Sequence, residues 1–244
     1  MAGGVFGQAP LALMVESVGW RPTMTGVALF GVVIALGAWL ITKDQRGAGA
    51  VPTHHAPSVV GGVRVVLANP QTWVLAAYGF SIVVIMFAFG SLWGVPYLQQ
   101  VHGMSRPDAA FSASLILLGW GLFSPLVGWL SDRWRRRKLP MIFGAFLTLV
   151  TMAPVLYMPG LSGVAIKVLL FLCGVSMAGM VVTFATVREH NENAHAGTAM
   201  AFVNMAVIGS GAVMQPLTGW LLDKGWDGKL DGGVRIYTPE AFEA

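Results

Sequence analysis

Charged residues are scarce in this chain of 244 residues, in which Asp, Glu, Lys and Arg together make up 11%. Soluble domains average roughly 25% charged residues, whereas apolar residues here reach 55%. Cysteine is nearly absent: the single residue, Cys173, has no partner for an internal disulfide and is expected to pack as a small hydrophobic side chain. These shortages exclude a soluble globular domain, a disordered segment and a disulfide-stabilised scaffold. The class that remains is an all-α polytopic membrane protein, a bundle of membrane-spanning helices.

Six apolar stretches are long enough to cross a membrane, because a spanning helix needs about 20 mainly apolar residues. Asn69 followed by Pro70 predicts an N-cap with proline in the first turn, and residues 105–108 predict a capping box. Residues 3–15 are apolar but too few to span, and they predict the end of a further, partial span. The six predicted full spans cover residues 23–42, 72–98, 109–130, 139–157, 162–187 and 196–222.

Glycine and proline are concentrated in the longest break between spans, residues 44–71, which is expected to link two helical bundles. The predicted organisation is the end of a first bundle (1–43), this linker (44–71), a second bundle (72–222) and a tail (223–244). Alternation of the spans places nine Lys and Arg residues in loops on one side. By the positive-inside rule these loops are cytoplasmic and the tail is extracytoplasmic. The expected location is the cell inner membrane, as a multi-pass protein.

One motif occurs twice. The pattern PLxGWLxD followed by a cation covers residues 125–133 and again residues 216–224. Three predicted spans separate the copies, and three crossings reverse the direction of the chain, so the copies are expected at opposite membrane faces. Inverted repeats of this kind are typical of secondary transporters, which bind their solute between the repeats. The alternative is chance similarity, since Trp and Leu before a charged loop are common at membrane interfaces.

The first copy continues into a basic run. The segment GWLSDRWRRRK, residues 128–138, resembles the cytoplasmic loop signature of the major facilitator superfamily, G-x-L-x-D-R-x-G-R-R/K, with Arg135 where the family often has Gly. The resemblance implies that Gly128 lets two helices approach closely, that Asp132 pairs with a helix N-terminus or a cation, and that the basic run faces anionic headgroups. In the family this loop locks the state that is open to the outside. The implied gating residues are Gly128, Asp132, Arg133, Arg136, Arg137 and Lys138.

The resemblance extends along the whole chain. Residues 1–43 resemble the end of the fifth helix and the sixth helix, residues 44–71 the central loop, and the later spans helices seven to eleven. The chain is therefore expected to be a truncated copy or fragment of a permease that moves a small solute by alternating access, with the N-terminal bundle as a missing partner. The alternative is a fragment or accessory subunit that transports nothing, because a family member normally needs both bundles to enclose a cavity. Residues 19–24 and the tail are most similar to the corresponding segments of permeases for organic anions or sugars.

Polar residues inside apolar spans are costly and often functional. Those in the spans that resemble the cavity-lining helices of the family are candidates to contact a solute, although the same residue types also bond or pack between helices. No Asp or Glu lies in the middle of a span, so a carboxylate for a coupling proton is expected in the missing half. The candidate solute-binding residues are Tyr78, Ser81, Trp120, Ser176, Asn204 and Ser210, with Gln215 shallower.

No enzyme, metal site or cofactor is predicted. The sequence Gly209-Ser210-Gly211 lacks the preceding glycine of a rhomboid-like GxSG, and no predicted span carries a histidine that could act as the base. The pair His54-His55 lacks the spacing and companions of a metal site. The net charge of +4 could indicate nucleic-acid binding, but cytoplasmic loops account for it better. The expected partners are a small solute, with or without a coupling proton, and the lipid bilayer.

Overall fold

The computed structural model describes residues 11, 14, 15, 17–42, 59–158, 160–228, 230, 231, 234, 235, 237, 238, 241 and 242. These residues are almost entirely helical, which confirms the all-α class; the one exception is a pair of two-residue antiparallel strands near the C-terminus. Most of the predicted partial span and residues 44–58 of the predicted linker, with His54 and His55, lie outside the described residues. The chain divides into two units, residues 2–58 and Val59–Ala244.

The described part of the first unit contains helix α1, Trp20–Ile41. Gly19 precedes it with a φ of 89°, and the Thr23 hydroxyl donates a hydrogen bond of 2.8 Å to the Gly19 carbonyl oxygen. At about 1.5 Å per residue the helix is roughly 33 Å long. It can therefore cross a hydrocarbon core of about 30 Å.

The second unit is a helical bundle. Together with α1, five helical stretches of this unit are long and apolar enough to cross a membrane. The bounds of each of the six agree with those of a predicted span to within a few residues. The elements of the second unit are α2 (Val59–Ala68), α3 (Pro70–Ile85), a π-helical segment (Met86–Trp93), α4 (Gly94–Gln100), α5 (Arg106–Trp134), α6 (Lys138–Tyr157), α7 (Gly163–Met177), α8 (Met180–Glu189), α9 (Ala196–Lys224), β1 (Leu230–Asp231) and β2 (Val234–Arg235).

Local capping explains where two of the long helices begin. The Asn69 side chain accepts a hydrogen bond of 3.0 Å from the backbone N–H of Gln71, and Pro70 occupies the first turn of α3. The Ser105 hydroxyl oxygen accepts one of 3.4 Å from the N–H of Asp108 at the start of α5. Both N-caps are confirmed, because capping depends only on residues in the same turn. The capping box predicted at residues 105–108 is only half formed in the described part of the chain, since the Asp108 carboxylate pairs with Lys167 at 2.6 Å.

The end of the predicted linker is helical. Residues 59–68 form α2, in which Val66 is buried and Gly62 lies close to the His195 side chain at the start of α9. The indole N–H of Trp73 donates to the Leu67 carbonyl oxygen at 2.9 Å, and so satisfies one acceptor at the end of the helix. Packing against α9 thus gives a short segment with two glycines a helical structure.

The second span is not a uniform α-helix, because a π-helical segment separates α3 from α4. Pro96 in α4 has no N–H to give to the preceding turn, and wide turns accommodate such a break. The Phe87 carbonyl oxygen accepts hydrogen bonds from the Ser91 hydroxyl at 2.6 Å and from the Gln215 amide at 2.9 Å. A side chain of α9 therefore supplies a donor inside the apolar region.

The fifth span is also interrupted, at residues 178–179 between α7 and α8. A Cβ on Gly179 would lie 2.9 Å from the Pro140 carbonyl oxygen and 3.2 Å from the Tyr78 hydroxyl. Only glycine fits so close to the start of α6. The break therefore lies where three segments of chain meet.

Close contact between α5 and α7 depends on glycine. A Cβ on Gly174 would overlap the Ile116 carbonyl oxygen, and a Cβ on Gly119 would overlap the Phe171 carbonyl oxygen. The backbones of the two helices consequently touch, as small residues allow in membrane helices. The other extensive helix–helix interfaces are those between α3 and α9 and between α6 and α7.

The bundle has two chemically different ends. We call them the basic end, where the cations of residues 133–138 lie around the end of α5, and the tail end, where α9 ends at Lys224. At the basic end, the Asn69 side chain donates to the His190 carbonyl oxygen at 2.7 Å, which joins the start of α3 to the loop between α8 and α9. At the tail end, the Tyr97 hydroxyl interacts with the carbonyl oxygens of Val155 and Leu156 at 3.0 and 2.9 Å, which joins α4 to α6. Helix α5 ends at the basic end and α9 ends at the tail end, so the two motif copies lie at opposite ends.

Candidate functional site

The loop that follows α5 reverses the chain within three residues. Arg135 has a φ of 53°, in the left-handed region, and its N–H donates to the Asp132 carbonyl oxygen at 3.2 Å. The next N–H, of Arg136, donates to the Ser131 carbonyl oxygen at 3.3 Å. Helices commonly end this way, but usually with glycine in the left-handed position. The tight turn therefore forms with arginine at the position where the family signature often has glycine.

Arg137 links the ends of two helices across this turn. Its guanidinium donates to the Glu189 carboxylate from Nη2 at 2.6 Å and from Nε at 3.0 and 3.2 Å. Its Nη1 pairs with the Asp132 carboxylate and donates to the Ser131 hydroxyl oxygen at 3.0 Å. One cation thus holds the C-terminal end of α5 to the C-terminal end of α8. The hydrogen bonds to Glu189 and then to Asp132 raise the pKa of Arg137 above its ordinary value, so it stays charged at any physiological pH.

The other predicted gating residues have different surroundings. Asp132 pairs with a cation, one of the two partners that the resemblance implies. A Cβ on Gly128 would meet no atom within 4 Å, so the described residues show no close helix approach there. The remaining residues of the predicted set are exposed at the basic end: Arg133, Arg136 and Lys138.

Four of the six candidate solute-binding residues are wholly or largely enclosed by protein. Ser176 and Thr148 share a hydrogen bond of 2.5 Å between α7 and α6, and the Ser210 hydroxyl donates to the Val207 carbonyl oxygen of its own helix at 2.6 Å. The Tyr78 hydroxyl donates to the Met141 carbonyl oxygen at 3.1 Å. Trp120 is 8% exposed, and its indole N–H has no hydrogen-bond partner among the described residues. The hydroxyls of the first three are thus engaged within the bundle.

The other two candidates lie on the surface of the bundle. Ser81 is exposed, although its hydroxyl donates to the Ala77 carbonyl oxygen at 2.8 Å. Asn204 is exposed as well, and in the part of the chain that the structure describes its amide makes no hydrogen bond to protein. No hydrogen bond joins any two of the six candidates in that part of the chain. The structure therefore does not gather them into one enclosed site.

Comparison with known proteins assigns the family. The sequence pattern of the Major Facilitator Superfamily matches residues 1–216, which is most of the chain. The chain belongs to the major facilitator superfamily. It is thus a multi-pass integral membrane protein of a transporter family, as the loop signature and the six apolar helices indicate.

A curated relative of this superfamily chain is the membrane sensor protein UhpC of Salmonella typhimurium. The two sequences are 26% identical over 246 aligned positions, which cover 91% of this chain and 54% of that protein. The chain spans about half the length of the relative it matches.

Glu189 is the partner of Arg137 that sequence analysis does not identify. It lies at the end of a span, next to Arg188, and the signature of the superfamily loop makes no reference to it. Its contact with Arg137 joins residues 52 positions apart. The sequence does hold one signal that could have identified Glu189. Carboxylates are scarce in this chain, so a carboxylate at the same end of the bundle as a run of arginines is a natural ion-pair partner for them.

The second copy of the repeated motif forms an analogous contact at the tail end. The Asp223 carboxylate accepts hydrogen bonds from Arg235 Nη1 at 2.6 Å and from the Tyr237 hydroxyl at 2.7 Å. Asp132 and Asp223, the equivalent acids of the two copies, thus each bind an arginine that follows in the chain. The two copies of the motif therefore resemble each other in the contacts of their acids as well as in sequence.

Proposed function

We propose that this chain carries the C-terminal helical bundle of a secondary transporter that moves a small solute by alternating access. The observation that carries the proposal is the bridge from Arg137 to Asp132 and Glu189 at the basic end. A contact between helix ends that forms in one state and breaks in the other is the kind of two-state element that alternating access requires.

In this mechanism the bridge keeps the basic end closed. Arg137 is 22% exposed in its side chain, whereas Asp132 and Glu189 are 68% and 47% exposed. The ion pairs are therefore close to water, where each contributes little and can break at small cost. A gate needs this property, because a deeply buried pair would hold one state permanently. Gly128, Arg133, Arg136 and Lys138 complete the proposed gating loop, the cations by facing anionic headgroups.

The proposed solute contacts divide by burial. Asn204 and Ser81 are exposed on the spans and offer polar groups to a solute, while Tyr78, Trp120, Ser176 and Ser210 hold the helices that carry them. The proposed solute is a sugar or an organic anion, with or without a coupling proton. Proton-coupled transport would need a carboxylate that is not in the described spans, because the acids of those spans lie near helix ends.

The proposed arrangement in the membrane follows the distribution of charge. The basic end faces the cytoplasm of a cell with this protein in its inner membrane, and the tail faces outward. Residues 1–43 are proposed as the end of an N-terminal bundle, 44–71 as the linker, 72–222 as the C-terminal bundle and 223–244 as the tail. The rest of the N-terminal bundle is the proposed partner, because two bundles enclose a solute cavity.

A second candidate function is a membrane protein that binds a solute or a partner without transport, such as an accessory subunit. The observation in its favour is that the relative named above is a membrane sensor protein and that this chain spans about half of it. The two functions differ in one measurable quantity, the net flux of solute.

Uptake into proteoliposomes tests the transporter directly. The protein, as its gene encodes it, is reconstituted and offered a panel of radiolabelled sugars and organic anions. Accumulation of one class inside the vesicles supports transport. Saturable binding to the purified protein with no uptake contradicts transport and supports the second candidate.

The gate is tested with three variants at equal protein levels. Asp132→Asn is expected to reduce uptake about two- to fivefold, because it removes one exposed ion pair of the bridge. Arg137→Gln should reduce uptake further, because it removes both. Arg188→Gln is the matched control, since it removes an exposed cation at the same end of the bundle that belongs neither to the bridge nor to the gating loop. Unchanged uptake in both bridge variants would refute the gating role.

A further inference from the structure

A cavity of about 300 Å³ opens at the tail end of the bundle. Its walls come from the second span (the end of α3, the π-helical segment and α4), from α6 and α9, and from Ala241 and Phe242 of the tail. The cavity reaches the surface, since the lining residue Leu221 is 46% exposed. Its volume lies at the lower limit of about 300–1,000 Å³ that is typical of ligand sites.

The lining is carbon apart from three polar side chains, and it contains no charged residue. Two of the three are engaged: the Tyr97 hydroxyl with main-chain oxygens of α6, and the Thr218 hydroxyl with the Met214 carbonyl oxygen at 2.8 Å. The third is the indole of Trp93, whose N–H is buried without a hydrogen-bond partner in the described part of the chain. A buried donor without an acceptor is costly. The cavity therefore suits a hydrocarbon group that carries a neutral acceptor oxygen, which the enclosed N–H meets once the indole shifts towards the cavity.

The depth of Trp93 suggests where such an oxygen comes from. The second span has 31 residues, about 46 Å at 1.5 Å per residue, so it exceeds a hydrocarbon core of about 30 Å by roughly 8 Å at each end. Trp93 lies seven residues before the end of α4, about 10 Å along the helix. That is the boundary between headgroups and acyl chains, where tryptophan is enriched in membrane proteins. The ester carbonyls of glycerolipids lie at the same level.

We propose that this cavity, which nothing in the transport mechanism uses, is a lipid site: an acyl chain of a glycerophospholipid fills it, and an ester carbonyl oxygen of that chain accepts the hydrogen bond from Trp93 Nε1. The tail forms one wall of the site. The Trp93 and Tyr237 rings meet edge to face with centroids 5.7 Å apart, and Tyr237 is held by Asp223. Lipid occupancy therefore stabilises the packed tail.

Photolabelling in vesicles made of the diether forms of phosphatidylethanolamine and phosphatidylglycerol, which carry no ester carbonyl, tests the site. A trace of phosphatidylcholine with a diazirine on its acyl chain is the probe, and labelled peptides are mapped by mass spectrometry. Labelling is expected to concentrate on the cavity walls. Competition by a diester phospholipid is expected to be about five-fold stronger than by the diether lipid of the same chain length, because the ether lacks the carbonyl acceptor.

Two variants and a control make the test specific. Trp93→Phe removes the donor while keeping an aromatic ring, and is expected to abolish the difference between ester and ether lipids. Ala88→Trp places a ring in the cavity and should reduce labelling at least five-fold, whereas Ala110→Trp, an exposed position of α5 outside the cavity, should leave it unchanged.

Three results would overturn the lipid site. These are equal competition by ester and ether lipids in the wild-type protein, an ester preference that persists in Trp93→Phe, and labelling by a diazirine-bearing alkyl maltoside but not by the phospholipid. If Ala88→Trp does not fold, the Trp93→Phe comparison decides by itself. Because this readout needs no solute, its outcome is independent of the proposed transport activity.

Discussion

Arg137 binds Glu189 through three hydrogen bonds, so that one arginine fastens α8 to the turn that ends α5. We expect a double-mutant cycle of Arg137→Gln and Glu189→Gln to give a coupling of about 1 kcal/mol, the scale of a well-formed but partly exposed ion pair. Unfolding by SDS titration measures it. The pair Arg133 and Glu189 serves as the control and should show coupling near zero; equal coupling in both pairs would mean that only general charge matters.

The left-handed backbone of Arg135 predicts a stabilising substitution. Arg135→Gly should raise the free energy of unfolding by roughly 0.5–1 kcal/mol, because glycine has no Cβ to strain at a φ of 53°. Arg136→Gly, next to it and outside the left-handed region, should lower it, since glycine there only adds freedom to the unfolded chain. Thermal unfolding in detergent separates the two, and a loss of stability in Arg135→Gly would contradict the turn.

The contact between α5 and α7 leaves no space at Gly174. Gly174→Ala would drive a methyl group into the Ile116 carbonyl oxygen, and we expect a destabilisation of about 1–3 kcal/mol from overpacking. Gly209→Ala is the matched control, because a Cβ there meets no atom within 4 Å and alanine favours the helix. The two variants should shift the melting temperature in opposite directions, and equal shifts would show that the helices do not touch at Gly174.

The tail predicts a dependence on alkaline pH. Burial and the hydrogen bond to Asp223 raise the pKa of Tyr237 above its usual value of about 10. A raised folded-state pKa means that the contribution of the neutral phenol to stability is complete below pH of about 10 and is lost as the pH rises through the higher folded-state value. The tyrosinate difference spectrum between wild type and Tyr237→Phe should therefore titrate above pH of about 10. Asp223→Asn should lower that midpoint, and a midpoint that does not move would place Tyr237 away from the carboxylate.

The proposed orientation can be read with cysteine labelling. Cys173 is fully buried, so the native protein is expected to react little with a membrane-impermeant maleimide. In intact cells Asp227→Cys in the tail should be labelled, whereas Arg136→Cys at the basic end should be labelled only after the membrane is opened. The opposite pattern would reverse the proposed topology.

Local rules account for what could be predicted. The six spans follow from the length of apolar stretches, and the caps at Asn69 and Ser105 from residues in the same turn. The superfamily follows from a contiguous loop signature. Each of these properties depends on residues close together in the chain, which composition and spacing reveal.

The candidate solute site was less predictable, because burial depends on which helix face meets a neighbour. Ser176 and Asn204 are both polar residues within apolar spans, yet Ser176 is buried against Thr148 and Asn204 is exposed. No local pattern distinguishes them. The π-helical segment also depends on a distant residue, because the Gln215 amide donates to the Phe87 carbonyl oxygen from 128 positions away. Its wide turns were therefore not apparent from Pro96 alone.

The sequence by itself determined that the chain spans a membrane, where two of its long helices begin and to which family it belongs, since hydrophobic length, capping and a contiguous motif are local properties. Only the tertiary structure decided that Arg137 meets Glu189, that Gly174 touches Ile116 and that Trp93 lines a cavity with its N–H unpartnered. These contacts join residues on different segments, and their geometry is set by how the helices pack.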